Sequence, residues 1–350
     1  MSQQDINTTH TAAPSGRDIR RIAAALGAVV VFQIVMVGSY VAAFHNPQPK
    51  DVPVGVVAPT PAIAEQARGA IPNRSGALGL RVVSDEQHAR RQIIDGRLYA
   101  ALLLEPSGDR LLVASASSRS IAETLAKSFS EADAAAGRPL RVEDVAPLPE
   151  EDSRGVTPFY LVLAWVVGGY LGATVIGLLR GMGSIGRTAA WQRVGALAIY
   201  ALVSGFAITL LTAAVFGIVS THMVAVALLG ALVVFAAGVT TAGLQAIFGI
   251  AGTAIVLIVF VAFGNPASGG PAARPLLPGL WRRLGGWVVN GAGTDAVRAA
   301  IYFPARSLRS PLLILAAWSV AGIAAMVVIG RARTPGTLAE LEFEAGLAAI

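Results

Sequence analysis

The sequence predicts an α-helical polytopic membrane protein with six transmembrane helices and an α/β extracytoplasmic domain between helices one and two. Three observations predict it. First, residues Ile22–Phe44, Pro158–Leu179, Val194–Phe263 and Pro311–Gly330 contain no Asp, Glu, Lys or Arg. A hydrocarbon core about 30 Å thick needs roughly 20 helical residues, so each block can cross and the third is long enough for three crossings. Backbone groups in lipid must be paired within their own segment, which makes these blocks helices. Second, the chain is 54% hydrophobic and only 14% charged, where a soluble domain carries about 25% charge. Third, residues 45–156 differ from their surroundings, with charges, Pro and Gly and a mixed periodicity.

The elements follow in order. Residues 1–21 form a cytoplasmic tail, polar to residue 16 and then basic at Arg17, Arg20 and Arg21. Residues 22–44 are the first span. The arginines and Val41-Ala42-Ala43 imitate a secretory signal. A signal core is about 7–15 residues, and the greater length here favours a retained anchor. Residues 45–156 are large enough to fold as an independent domain.

Within that domain Val52–Ala58 reads as a strand, Pro61–Ala70 as a helix and Leu80–Val83 as a strand. Ser84, three residues before Gln87, has the spacing of a capping box opening a helix that ends near Gly96. Leu98–Leu104 is a continuous apolar run of buried-strand length, and Leu111–Ala116 returns after a Pro- and Gly-containing turn. Ser120 and Glu123 suggest a second capping box, with Ile121, Leu125 and Phe129 on one helical face and Gly137 closing the helix. Leu140–Val145 is the last strand. The order β-α-β-α-β-β-α-β fits a small sheet covered by helices.

Residues 157–263 hold transmembrane helices two to five. The second is placed at 158–179 and the third at 195–219, followed by a tight turn at Ser220–His222. Residues 223–263 are too long for one crossing. They are divided at Thr240–Gln245, where Thr240, Thr241, Gly243 and Gln245 cluster. Residues 264–310, rich in Gly, Pro and Arg, form an outer re-entrant or interfacial segment. Residues 311–330 are the sixth span, and 331–350 a cytoplasmic tail with Glu340, Glu342 and Glu344.

Arginine in short flanking loops sets orientation. Arg17, Arg20 and Arg21 place the amino terminus in the cytoplasm. Six crossings then place Arg180, Arg187, Arg193, Arg331 and Arg333 on the same side. One segment resists the pattern: 264–310 falls outside, yet carries Arg274, Arg282, Arg283, Arg298, Arg306 and Arg309; a single crossing by 223–263 would place it in the cytoplasm, but the length favours two. The expected location is a bacterial plasma (inner) membrane, multi-pass, with both termini cytoplasmic.

Several chemistries find no support. The net charge of +6 has no long basic run behind it, so no nucleic-acid partner is expected. Cysteine is absent, which removes disulfides and thiolate chemistry. The four histidines make no compact ligand set, and no metal, cofactor or catalytic residue is expected. Gly181–Gly186 matches G-x-G-x-x-G but lies between two membrane helices instead of in a βαβ unit. Asn73-Arg74-Ser75 matches a glycosylation sequon, which means little in a bacterial protein. With no G-x-x-x-x-G-K-[ST] the chain is not itself a P-loop ATPase. Ion-driven carriers place ionised residues within the membrane; the charge-free blocks point to energy supplied by another subunit.

Two features of the spans remain. Gly168, Gly172 and Gly177, with Ala173, give small-x-x-x-small spacing on the second helix, suited equally to internal packing and to dimerisation. The loop at 180–194 contains Thr188–Val194, a short surface helix in prospect. There Arg187, Trp191, Gln192 and Arg193 are candidates for docking an ATPase; an ordinary basic loop is the alternative.

The layout of one span, a large outer domain and five further spans resembles the type-2 ABC exporter permeases, and within them the phage-infection-protein (Pip/YhgE-like) group. The local match is Asn265-Pro266-Ala267-Ser268-Gly269-Gly270, then Pro275, Leu277-Pro278 and Trp281, and later Gly291–Arg298 and Tyr302-Phe303. The layout covers about residues 20–332 and the specific motif about 265–303. The outer segment here lacks the long extended insertion of larger members, which argues against a phage-receptor or surface-fibre role.

The resemblance implies that 264–310 dips part-way into the outer leaflet. Asn265 and Ser268 would pair backbone groups freed where the helix breaks, the glycines would allow the turn, and Trp281 and Trp287 would sit at headgroup depth. It also implies a membrane-spanning permease subunit without enzymatic activity of its own. A separate ATPase subunit would energise it, and it would act as a homodimer or as a heterodimer with a related permease. An amphipathic or lipid-like substrate fits. The alternative is a non-transporting membrane anchor or receptor, or a secretion-complex component, acting through the outer domain.

Overall fold

The computed structural model describes residues 16–332 apart from 72, 74, 75, 182–185, 220 and 221. Most of both tails, most of the Gly181–Gly186 motif, two residues of the sequon and most of the turn before His222 lie outside the described residues. The protein is mostly helical, and six helices are long and apolar enough to cross a membrane: Ile22–Phe44, Thr157–Arg180, Arg187–Phe216, Met223–Phe248, Ile250–Ala267 and Arg309–Gly330. This is the architecture of a multi-pass membrane protein.

The first helix, α1 (Gly16–Phe44), starts within the basic stretch and is largely exposed along its apolar length. Then come β1 (Val52–Val57), α2 (Pro61–Ala70), β2 (Leu78–Val82), α3 (Glu86–Ile94), β3 (Ala100–Leu103), β4 (Asp109–Val113), α4 (Arg119–Ala135) and β5 (Leu140–Asp144). They make one five-stranded sheet in the order β2-β1-β3-β4-β5. Only the β3–β4 pairing is antiparallel. Central β3 is buried throughout, as its unbroken apolar run requires. One face packs Ala89 and Ile93 of α3, the other Ile121, Leu125 and Phe129 of α4.

Both expected capping boxes move. Asp85, not Ser84, caps α3 by accepting from His88 N–H at 2.7 Å; the carboxylate also takes the Ser84 hydroxyl at 2.8 Å. A charged acceptor at the helix start outcompetes the hydroxyl, because it also meets the positive end of the helix dipole. Ser118, not Ser120, caps α4 through Ile121 N–H.

The bundle comprises α5 (Thr157–Arg180), α6 (Arg187–Phe216), α7 (Met223–Phe248), α8 (Ile250–Val256), a π-helical stretch Leu257–Gly264, α9 (Asn265–Ala267), α10 (Gly279–Leu284), α11 (Val289–Tyr302) and α12 (Arg309–Ala332). Helix α7 is its centre, packed by α5, α6 and α12, and is the most buried of the spans. Glycines set these approaches. A Cβ on Gly169 would lie 2.7 Å from Val234 O, and one on Gly205 2.6 Å from Ala227 O.

Three expectations about the spans are corrected. Helix α6 begins at Arg187, so Thr188–Val194 is its first part and not a separate surface helix; it ends at Phe216, where left-handed Gly217 caps it. The break between the fourth and fifth spans is at Gly249 (φ +61°), not at Thr240–Gln245. That polar cluster is buried inside α7. Thr241 donates to Ala237 O at 2.7 Å, Thr240 to Trp318 O at 3.3 Å, and Gln245 to Thr174 and Thr253. Polar side chains mated to carbonyls and to one another are compatible with a span interior, whereas a left-handed glycine ends a helix. Finally, the bundle does hold an ionisable side chain: Arg193 is 5% exposed.

Candidate functional site

The segment after α8 positions the site. Pro266 has no N–H, and in the π register its missing bond would go to Val261 O. The Tyr40 hydroxyl of α1 donates there instead, at 3.3 Å. Asn290 donates to Phe260 O at 3.1 Å and to Asn265 Oδ1 at 2.6 Å. Ser268 donates to Asn265 O at 2.7 Å and accepts from Gly270 N–H at 3.2 Å. Gly269 turns the chain at φ +78°. A Cβ on Gly270 would strike the Phe159 ring at 2.4 Å.

Beyond this turn Pro278 leads into α10, whose Trp281 donates its indole N–H to Ser39 Oγ of α1 at 3.1 Å. Trp287 is exposed, and Trp318 donates to its carbonyl at 2.8 Å. Helix α11 then runs back into the bundle, largely buried between α5, α7 and α12. Its entry is tight: a Cβ on Gly291 would lie 1.7 Å from Gly285 O.

A cavity of about 260 Å³ opens between α11, the Gly269–Arg274 turn, the first turn of α12 and the sheet's α3–β3 loop. Arg274, Arg298 and Arg306 line it, with Asp95, Asp295 and Tyr99. Arg274 pairs with Asp295 at 2.6 Å and donates to Gly285 O at 3.0 Å. Asp95 is held by Arg97 at 2.6 Å. Arg298 donates to Gly269 O at 3.2 Å. Arg306 donates to Ile94 O at 2.8 Å and stacks over Phe303 at 3.9 Å. Positive-φ Gly96 makes its seat, since a Cβ there would meet the guanidinium at 2.9 Å.

The electrostatics of this cavity are those of half-buried arginines, of which only Arg274 has a carboxylate in direct contact. Burial lowers the Arg306 guanidinium from its ordinary value, and burial raises the Tyr99 phenol, which stays protonated. Buried Nε of Arg274, Nε of Arg298 and Oγ of Ser117 have no hydrogen-bond partner among the described residues. The Asp152 carboxylate, on the approach to α5, accepts from the Tyr302 hydroxyl and from Val156 and Thr157 N–H at 3.2 and 3.1 Å.

Other candidates lie elsewhere. Gly186 N–H donates to Gly330 O at 3.0 Å, so the α6 start and the end of α12 share one end of the bundle. The sheet is at the other, joined to the segment before α12 through Arg306 and Tyr302. Arg187, Trp191 and Gln192 are exposed at the α6 start. Arg193 is not: it points inward, donating to Gln245 Oε1 at 2.5 Å and Ala173 O at 3.1 Å. Gly168 and Gly172 receive Tyr200 of α6, whose hydroxyl donates to Gly168 O at 3.0 Å; their shared face is an internal contact. Gly177 is buried.

Comparison with protein-family profiles, curated proteins and solved structures finds no match for this chain.

Sequence reasoning singled out Arg298 but not Asn290, Ser117, Gly96 or the joint role of Arg274 and Arg306. The available signal was the arginine excess in 264–310, which the inside-positive pattern left unexplained.

Proposed function

We propose that this chain is the membrane-spanning permease subunit of an ATP-driven exporter. A separate ATPase energises it, and it exports an amphipathic or lipid-like substrate. In this reading the sheet-bearing segment is an extracytoplasmic α/β domain, both termini are cytoplasmic, and the chain pairs with a second copy or a related permease in a bacterial plasma membrane.

The observation that carries the reading is a buried helix too short to cross the membrane. At 14 residues and 1.5 Å per residue, α11 spans about 21 Å. That is short of a hydrocarbon core of about 30 Å, yet α11 is buried within the bundle. It follows a broken helix and precedes the last span, as the resemblance to type-2 exporter permeases implies for a re-entrant segment. The exposed Arg187, Trp191 and Gln192 at the opposite end are the surface offered to the ATPase; the buried Arg193 is withdrawn from that set.

The test is purification of the full chain from native membranes, with mass spectrometry of what accompanies it. A nucleotide-hydrolysing subunit is expected, and its recovery should fall at least several-fold in Arg187→Ala/Trp191→Ala. Flux that persists without ATP, or an ATPase retained by that double variant, would refute the assignment or the docking surface respectively.

The receptor reading draws on a different observation. A mainly apolar hollow of about 290 Å³ lies between α4 and the β2 side of the sheet, lined by Ile71, Leu125, Phe129 and Leu276. It requires ligand binding with no ATPase association.

A further inference from the structure

We infer that the arginine-lined cavity between the sheet and α11 is a binding site for a phosphate-type anion, held by Arg274, Arg298 and Arg306. The inference stands apart from the exporter reading: it concerns occupancy of a site and not transport.

Charge comes first. Both carboxylates on the cavity wall are already engaged, Asp295 by Arg274 and Asp95 by Arg97. Arg298 and Arg306 have no carboxylate within 4.0 Å among the described residues, and donate only to backbone carbonyls. Both are half-buried, and a cation that loses part of its hydration gains from an anion beside it.

Unmet donors come second. Nε of Arg274, Nε of Arg298 and Oγ of Ser117 are buried without partners, and all three side chains line this one cavity. Buried polar atoms nearly always have a partner, so three orphans in the walls of one cavity mark a region short of acceptors, which a ligand reaching the same side chains would supply. A phosphate has the oxygens to do so, and guanidinium forks match its geometry.

Size and position come third. The volume is below the roughly 300–1,000 Å³ that encloses a drug-sized ligand, so it suits a headgroup and not a whole amphiphile. Ser310, Pro311 and Ile314, from the first turns of the last membrane-spanning helix, form one wall. A lipid phosphate seated on the arginines would leave its acyl chains beside that helix. A free phosphate would meet the same donors.

The test is a thermal-melting titration of the full chain in neutral detergent at fixed ionic strength, with inorganic phosphate, glycerol 3-phosphate and short-chain phosphatidic acid in separate arms. A saturable rise in Tm is expected. A rise with phosphatidic acid alone assigns the site to a lipid headgroup, and a rise with all three assigns it to the phosphate group itself. Arg298→Gln and Arg306→Gln should each weaken binding about tenfold, the effect of losing one charge-assisted hydrogen bond. Arg298→Lys should lose less than Arg298→Gln. Arg283→Gln, on exposed α10 and outside the cavity, should bind as wild type. No saturable shift in the wild-type chain, or wild-type affinity in both the Arg298 and the Arg306 variants, would overturn the inference.

Discussion

Gly291→Ala is expected to destabilise the protein by about 3 kcal/mol or more, at or beyond the upper end of ordinary overpacking costs. The added methyl would lie 1.7 Å from the Gly285 carbonyl oxygen. That atom is backbone, so no side chain can rotate away. Gly285 O also accepts from Arg274, so any backbone shift that relieves the clash loosens the arginine cluster as well. Gly286→Ala is the control, with nothing within 4 Å of its added Cβ, and should be close to neutral. Thermal melts of both variants in detergent check the pair. Equal melting of Gly291→Ala and wild type would contradict the close approach of α11 to the turn before it.

Gln245→Leu is expected to cost about 1.5–3 kcal/mol, the range for a hydrogen bond to a charged group. It removes the acceptor that Arg193 reaches at 2.5 Å inside the bundle and leaves Thr174 and Thr253 without their amide partner. Arg193→Met alone should also destabilise, by stranding the Gln245 oxygen. The double variant should lose less than the two single losses added together, since the Arg193–Gln245 hydrogen bond is then lost only once and neither of its partners is left stranded. Additive losses in that double-mutant cycle would show that the two side chains are not energetically coupled.

The parts of this architecture that the sequence made legible are those set by one-dimensional patterns. Length and absence of charge located the spans to within a few residues at Ile22–Phe44, Thr157–Arg180 and Arg309–Gly330. Alternation and apolar runs located the strands. What stayed hidden depends on neighbours distant in the chain. Thr240–Gln245 has the polarity of a break, and only contact with Trp318, Thr174 and Arg193 makes it an interior. Arg193 falls inside the predicted loop at 180–194 and reads as a surface charge until α6 is extended back to Arg187. The glycine spacing of Gly168 and Gly172 indicated a packing face but not its occupant, Tyr200, and passed over the closer backbone approach at Gly169. Arg274, Arg298 and Arg306 are 24 and 8 residues apart in turn, with no local motif to unite them. Their convergence is a product of the turn at Gly269 and the return of α11.

The two faces of the sheet have one further consequence. Phe303, just past α11, is buried against the α3 face, and Ala273, from the turn before α10, against the α4 face. The sheet is thus clamped on both sides by parts of a single hairpin that also enters the bundle. A tilt of α11 is therefore expected to carry the sheet with it, because both of its faces are held by the same hairpin. An antibody fragment that immobilises the sheet would therefore act as a brake on the helices beneath it.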